Sequence, residues 1–156
     1  MPSLQTFHFG LLEYAEEQTI QFDEGLPAFE RERRFVAIEQ PATAPIIFLQ
    51  SLLNPGLAFM TVPALFLLPG YQLNVAPEDL TALGLNSARQ PQPGHEVLVL
   101  AIITVNADGA ASANLLAPVL VNLDTRQARQ VIQLDTPYAC NHPLEQELAP
   151  EQGPCS

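Results

Sequence analysis

From Gln40 to Pro77 the chain carries no Asp, Glu, Lys or Arg, and this uncharged stretch constrains the fold more than any other feature. A membrane span is the first thing it suggests. Pro41, Pro45, Pro55, Pro63, Pro69 and Pro77, with Gly56 and Gly70, cut it into pieces far shorter than the roughly 20 residues a spanning helix needs. Buried backbone must find partners, so short strands joined by tight turns are the arrangement that fits. Proline supplies 15 of the 156 residues, which disfavours long helices along the whole chain. Hydrophobic residues make up 47% and charged residues only 15%, enough apolar material for a core without disulfide or metal staples.

Strand signals recur at spacings of about 8 to 12 residues, the pattern of a sandwich or barrel. Gln5, Phe7 and Phe9 alternate with Thr6 and His8, and Gln18 to Phe22 alternates in the same way. Phe35 to Ile38, Ile46 to Leu52, Leu57 to Val62 and Tyr71 to Val75 follow as short strands between Pro/Gly turns. Val97 to Val105 and Ala113 to Leu123 give the longest signals, with Asn106, Asp108 and Gly109 as hairpin chemistry between them. A second hairpin runs through Asp124 and Thr125 into Arg129 to Leu134, and Pro118 marks an edge or a bulge. One helix is predicted near residues 77–84: Pro77 at its first position, Glu78 and Asp79 at the positive end of its dipole, Leu80 and Leu83 on one face, Gly84 as its stop. The expected fold is all-β, a small barrel-like sandwich of short antiparallel strands with one short helix. Residues 1–144 form one β domain, and residues 145–156 read as an acidic, disordered tail.

Charge excludes one class of function. The formal net charge is −11, and all six bases are arginine. A nucleic-acid binder needs a basic face, so direct nucleic-acid binding is not expected. Met1 to Gly10 has neither a basic n-region nor an apolar run, so no signal peptide is read and a cytoplasmic location is expected. Cys140 and Cys155 then read as free thiols.

Chemistry-bearing motifs are sparse. His8, His95 and His142 are scattered, and Cys140 with His142 is too small a set for a zinc site. The eight glycines form no phosphate loop. Glu16 with Glu17 and Asp23 with Glu24 are carboxylate pairs, but nothing beside them promises the desolvation that separates two pKa values. No catalytic residue, cofactor or metal is expected. A small-molecule site in the mouth of a barrel, or a hydrolase using Cys140 or a carboxylate pair, is the alternative reading. The uneven feature is the acids: eight of the 17 (Glu13, Glu16, Glu17, Asp23, Glu24, Glu30, Glu32 and Glu39) lie in the first 39 residues, interleaved with Phe22, Leu26, Phe29 and Phe35. Such a patch attracts a basic or amphipathic protein partner.

Phe9-Gly10, then Ile20 and Phe22 leading into Glu24-Gly25-Leu26-Pro27, Phe29-Glu30 and Phe35, resembles the opening signature of the FliW flagellar assembly factors. Phe48-Leu49-Gln50-Ser51, Asn54-Pro55 and Leu57-Ala58-Phe59 resemble that family's second block. Leu98 to Val105 with Ala113 to Val119 resembles the third, and Tyr138 with His142-Pro143-Leu144 the close. The resemblance implies a compact β fold without enzymatic activity that binds flagellin and a CsrA-type translational repressor, sequestering the repressor and so relieving repression of flagellin synthesis. No membrane partner is expected, given the proline-broken stretch, and Gly10, Gly25, Pro27, Pro55 and Pro118 within these blocks are expected to serve the fold. The chain departs from the family at Leu52-Leu53-Asn54-Pro55 and near Val62-Pro63, where relatives are more acidic, which weakens attraction for a basic partner at that face. The candidate partner-binding residues are Glu13, Glu16, Glu17, Asp23, Glu24, Phe29, Gln50 and Asn54.

Beyond Leu144 the chain has three acids, two prolines and no base, too little apolar area to offset the entropy of ordering. Deleting Glu145 to Ser156 should move the melting temperature by only about one or two degrees, measured by calorimetry. A fall of about ten degrees would show that the tail contributes to the folded core.

Overall fold

Nine residues in unbroken β alternation, Val97 to Val105, make the longest strand, and its two faces serve two different cores. The computed structural model describes residues 1–26 and 28–144. In chain order the strands are β1 (Ser3–Thr6), β2 (Gly10–Glu13), β3 (Ile20–Phe22), β4 (Arg34–Glu39), β5 (Ile47–Ser51) and β6 (Ala58–Pro63). Two short helices follow, α1 (Ala64–Leu67) and α2 (Pro77–Ala82), then β7 (Val97–Val105), β8 (Ala111–Ala113), β9 (Val119–Asn122), β10 (Gln127–Gln130) and β11 (His142–Pro143). Single 3-10 turns lie at Glu16–Gln18 and Pro41–Thr43. Strands β7, β6, β5, β4, β3, β10 and β9 pair in that order and β9 returns to β7, which closes a seven-stranded barrel. Strands β8 and β11 continue from the far end of β7, and β1 with β2 forms a separate hairpin.

The barrel is all-β, as expected, but not wholly antiparallel. Strand β3 pairs with β10 in parallel, Gln21 opposite Gln127 and Phe22 opposite Ala128, and the Gln21 N–H donates to the Arg126 carbonyl at 3.0 Å. The other ladders of the ring are antiparallel. A parallel pair needs a long connection, here everything between residues 22 and 127, so no local pattern could announce it.

Inside the ring, Ile20, Phe22, Leu26, Phe35, Ile47, Leu49, Leu100, Val119, Val121 and Ala128 fill the interior. Phe22 and Phe35 meet edge-on at 5.3 Å between ring centres, a favoured aromatic geometry. Outside the ring, Val62, Val97, Val99, Ala101, Ile103 and Leu120 face a second core completed by Leu67, Tyr71, Leu73, Val75, Leu80 and Leu83. The uncharged stretch therefore supplies β5, β6, α1 and much of this outer layer. Among the described residues no helix is long and apolar enough to cross a membrane.

Several sequence expectations change in detail. The alternation of Gln5, Phe7 and Phe9 does not make one strand: Phe7 to Phe9 is the turn between β1 and β2. Thr6 closes it, its hydroxyl donating to the Gly10 carbonyl at 2.8 Å and accepting the Phe9 N–H at 2.9 Å, while Gly10 takes φ +67°. Tyr71 to Val75 has the burial alternation of a strand but no ladder. Its backbone is held by side chains instead: Gln72 N–H to the Tyr138 hydroxyl, Asn74 N–H to Gln133 Oε1, Val75 N–H to Gln90 Oε1. The Ala113 to Leu123 signal divides into β8 and β9, because Asn114 Oδ1 accepts the N–H groups of Leu116 and Ala117 and turns the chain ahead of Pro118. Both hairpins form, with β10 beginning two residues earlier than Arg129, and the predicted helix spans Pro77–Ala82 with Gly84 at φ +74°. The extra helix α1 follows directly on β6 and buries Ala64 and Leu67.

Tyr71 ties the outer layer together. Its hydroxyl donates to the Leu115 carbonyl at 2.6 Å and accepts from Gln133 Nε2, and its ring stacks on Tyr138 with centres 4.3 Å apart. Burial pushes its phenol well above the ordinary value, against a smaller opposing effect of the Gln133 amide.

Phe35 is fully buried, whereas Phe48 and Phe59 are only half-buried. Phe35→Ala should cost about 3 to 5 kcal/mol in urea unfolding, and Phe48→Ala clearly less, about 1 to 2 kcal/mol. Equal losses would mean that the barrel interior and its outer face at β5 are packed alike.

Candidate partner-binding surface

The chain between β3 and β4, residues 23–33, and the loop between β5 and β6, residues 52–57, leave the barrel at the same end, because Phe35 pairs with Ser51 and Gln50 with Ala58. Gly25 begins the first segment at φ +68°, and a Cβ there would sit 2.5 Å from the Glu30 carbonyl oxygen, so only glycine allows the tight return. Glu30 Oε2 accepts the Ala28 N–H at 3.2 Å and braces the turn at the surface. Ser51, fully buried, locks the second segment: its hydroxyl donates to the Glu32 carboxylate and accepts the N–H groups of Leu53 at 3.1 Å and Asn54 at 2.9 Å. The two loops are thus stitched to each other by one serine and one glutamate.

Aromatic rings connect this end to the interior. Phe29, 40% exposed, stands edge-on to Phe59 at 5.3 Å, and Phe59 lies 5.9 Å from Phe35 in the core. Phe29 is therefore an exposed ring on a rigid support, which suits a contact residue. Asn54 is exposed and its Oδ1 accepts the Gly56 N–H at 3.0 Å, leaving its amide nitrogen toward solvent. The β1–β2 hairpin reaches the same loop: the Phe7 N–H donates to the Pro55 carbonyl at 3.1 Å, and the Phe7 ring, 79% exposed, lies over Gly56.

Gln50 does not belong to the surface. It is fully buried, and its Nε2 donates to the carbonyls of Ser51, Asn54 and Pro55 at 3.0, 3.3 and 3.3 Å, so it shapes the loop from below and touches no solvent. The outward face of β5 is covered, which strand alternation alone does not foretell; Phe9 packs edge-on against Phe48 at 5.1 Å on that same face.

The predicted acids are all exposed, but they form two groups. Glu13 borders a cavity of about 230 Å³ with Glu39, Tyr14, Gln18 and Arg126, and Glu16 and Glu17 begin the adjoining 3-10 turn. Glu16 pairs with Arg34 at 2.8 Å, while Glu13 and Glu17 have no arginine partner among the described residues. Asp23 and Glu24 lie instead beyond β3, where Glu24 pairs with Arg129 at 2.8 Å and Arg129 also reaches Asp79 at 3.1 Å. Sequence reading missed Phe7 and Leu53, both well exposed, and the arginines 31, 33 and 34 that line a groove with Leu52 and Leu53. The signal available for them was the run Glu30-Arg31-Glu32-Arg33-Arg34, which concentrates three of the six bases in four positions.

Cys140 is exposed, and the described residues hold no group of three or more His, Cys, Asp and Glu placed to bind a metal. A larger cavity, about 520 Å³, opens on the outer layer between Leu65, Pro69, Tyr71, Gln90, Pro93 and His95. Beside it the Arg89 guanidinium, by hydrogen bonding, holds the Glu96 carboxyl below its ordinary range.

These features define a small closed β-barrel whose interior is filled with side chains and whose distinctive groups stand on its outside. The family described as FliW protein matches residues 3–144, and the chain belongs to the FliW family of flagellar assembly factors. It is 33% identical over 144 residues to the flagellar assembly factor FliW of Syntrophomonas wolfei, covering 92% of this chain and 88% of that one. It is 30% identical over 142 residues to the same factor of Bacillus subtilis, covering 90% and 95%. A crystal structure of the flagellar assembly factor FliW superposes with a TM-score of 0.78 at 29% identity, covering 92% of this chain and 96% of that one.

Ser51→Ala removes a buried hydroxyl that serves three partners, so it should cost about 1 to 3 kcal/mol in urea unfolding. A loss below about 0.5 kcal/mol would mean that water replaces the hydroxyl and that the two loops are not coupled through it.

Proposed function

We propose that this chain is a non-enzymatic, cytoplasmic flagellar assembly factor that binds flagellin and sequesters a CsrA-type translational repressor, relieving repression of flagellin synthesis. Membership of the FliW family over nearly the whole chain is the observation that carries this reading. The exposed carboxylates Glu13, Glu16, Glu17, Asp23 and Glu24 support a basic partner, since a net charge of −11 steers a positively charged protein toward such a face. Phe29 and Asn54 at the barrel end offer the apolar and polar contacts that make such an association durable. Gln50 contributes by holding that loop and not by contact. The small-molecule alternative loses its ground because the barrel interior is occupied by Phe22, Phe35, Leu49 and their neighbours.

Purified CsrA and purified flagellin, each titrated against the chain by calorimetry at low and high salt, test the reading. Binding should occur in both titrations, and the repressor's affinity should fall as salt rises past about 0.15 M. Glu17→Lys should slow repressor association by several-fold; Glu17 is the cleaner choice over Glu16, whose exposed pair with Arg34 would also be broken. Absence of binding to both proteins at tens of micromolar would overturn the proposed function and leave the fold as described.

A further inference from the structure

The chain has 17 acids and six bases, yet Arg31 and Arg33 have no carboxylate within ion-pairing distance among the described residues. Their sequence neighbours explain this. Glu30 is taken by the Ala28 N–H, and Glu32 by the Ser51 hydroxyl. Arg33 spends one donor, its Nε, on the Glu30 carbonyl at 3.2 Å, and Arg34 is satisfied by Glu16 at 2.8 Å. The remaining guanidinium donors of Arg31 and Arg33 border a groove of about 220 Å³ whose other wall is Leu52 and Leu53, the latter 63% exposed. Guanidinium groups grip carboxylates through paired N–H donors, and a leucine wall beside them rewards an apolar side chain. Both halves of the groove are used only by a ligand that carries acid and apolar groups together. A phosphate backbone would use the arginines alone and leave the leucines idle.

We propose that this end of the barrel docks an acidic amphipathic segment of a protein partner, its carboxylates on Arg31 and Arg33 and an apolar side chain against Leu53. The inference rests on the reading of the chain as a partner-binding protein, and adds to its acidic face a second surface of opposite preference.

A fluorescent helical peptide with leucines on one face and glutamates on the other is the probe, titrated by anisotropy against the full chain. Two controls accompany it, the same peptide with glutamine for glutamate and a single-stranded RNA oligonucleotide. The acidic peptide should bind saturably, and binding should weaken at least about tenfold in the double variant Arg31→Glu, Arg33→Glu, a change of about 1.4 kcal/mol. Leu53→Ser should weaken it separately, and Glu78→Gln, exposed on α2 away from the groove, should not. All of these positions are exposed, and thermal unfolding verifies that each variant folds. Equal binding of the glutamine peptide, preference for RNA, an unaltered double variant, or no saturable binding of the acidic peptide would each overturn the proposal. Flagellin and the repressor are titrated against the same double variant: binding of both as to the unaltered chain removes this surface while the assembly-factor reading stands, whereas failure of both on the unaltered chain removes that reading by itself.

Discussion

Strand β7 is the piece on which the rest of the molecule hangs, because three neighbours share its nine residues. Val97 to Leu100 pair with β9, Leu100 to Ile102 with β6, and Ile103 to Val105 with β8. Alternation then assigns its even residues, Leu98, Leu100 and Ile102, to the barrel interior, and its odd residues, Val97, Val99, Ala101 and Ile103, to the outer core. Slipping this strand by one residue would exchange the two sets and lose both cores together. Closure of the ring also needs the short parallel contact between β3 and β10, at the side of the barrel away from β7. A closed ring leaves no edge along its seven strands, so the loops at its end are carried on a rigid rim.

That rim determines which charges are spent and which are available. Glu30 and Glu32 look from sequence like members of an acidic patch; in the fold Glu30, still exposed, accepts the Ala28 N–H, and Glu32, half-buried, accepts the Ser51 hydroxyl. Arg31 and Arg33 have no ion-pair partner among the described residues and line a groove with Leu52 and Leu53. Glu13 and Glu17, on the 3-10 turn and its approach, likewise have no ion-pair partner among the described residues. Two neighbouring parts of one acidic chain therefore present side chains of opposite charge, and membership of a family of flagellar assembly factors gives that contrast a setting in which protein partners are expected.

What could be read from the chain follows the range of the interactions involved. Helix α2 was legible because Pro77, Glu78, Asp79 and Gly84 act within one or two turns. The hairpin between β7 and β8 was legible for the same reason, with Asn106 and Gly109 setting its turn. Burial of Tyr71, Leu73 and Val75 was legible from alternation, but their backbone partners, Gln133 and Gln90, are 15 to 60 residues away and left no local trace. Gln50, a candidate contact residue within the family's second block, is buried because the loop after β5 folds over it, and no local pattern announces that covering. Phe29 and Asn54 lie exposed at the barrel end, while the groove of Leu53 and Arg31 is formed by two loops distant in sequence and held together by Ser51 and Glu32.

Hydrogen exchange measured amide by amide under rising denaturant tests the central claim, that ring closure through β7 and the β3–β10 contact holds the barrel as one unit. The amides of Leu100, Val119, Val121 and Gln21 should exchange only through global unfolding, with the same opening free energy as Leu49 in the middle of β5. Exchange of Gln21, Val119 or Val121 at an opening free energy several kcal/mol below that of Leu49 would show that the ring opens locally, and would contradict the account.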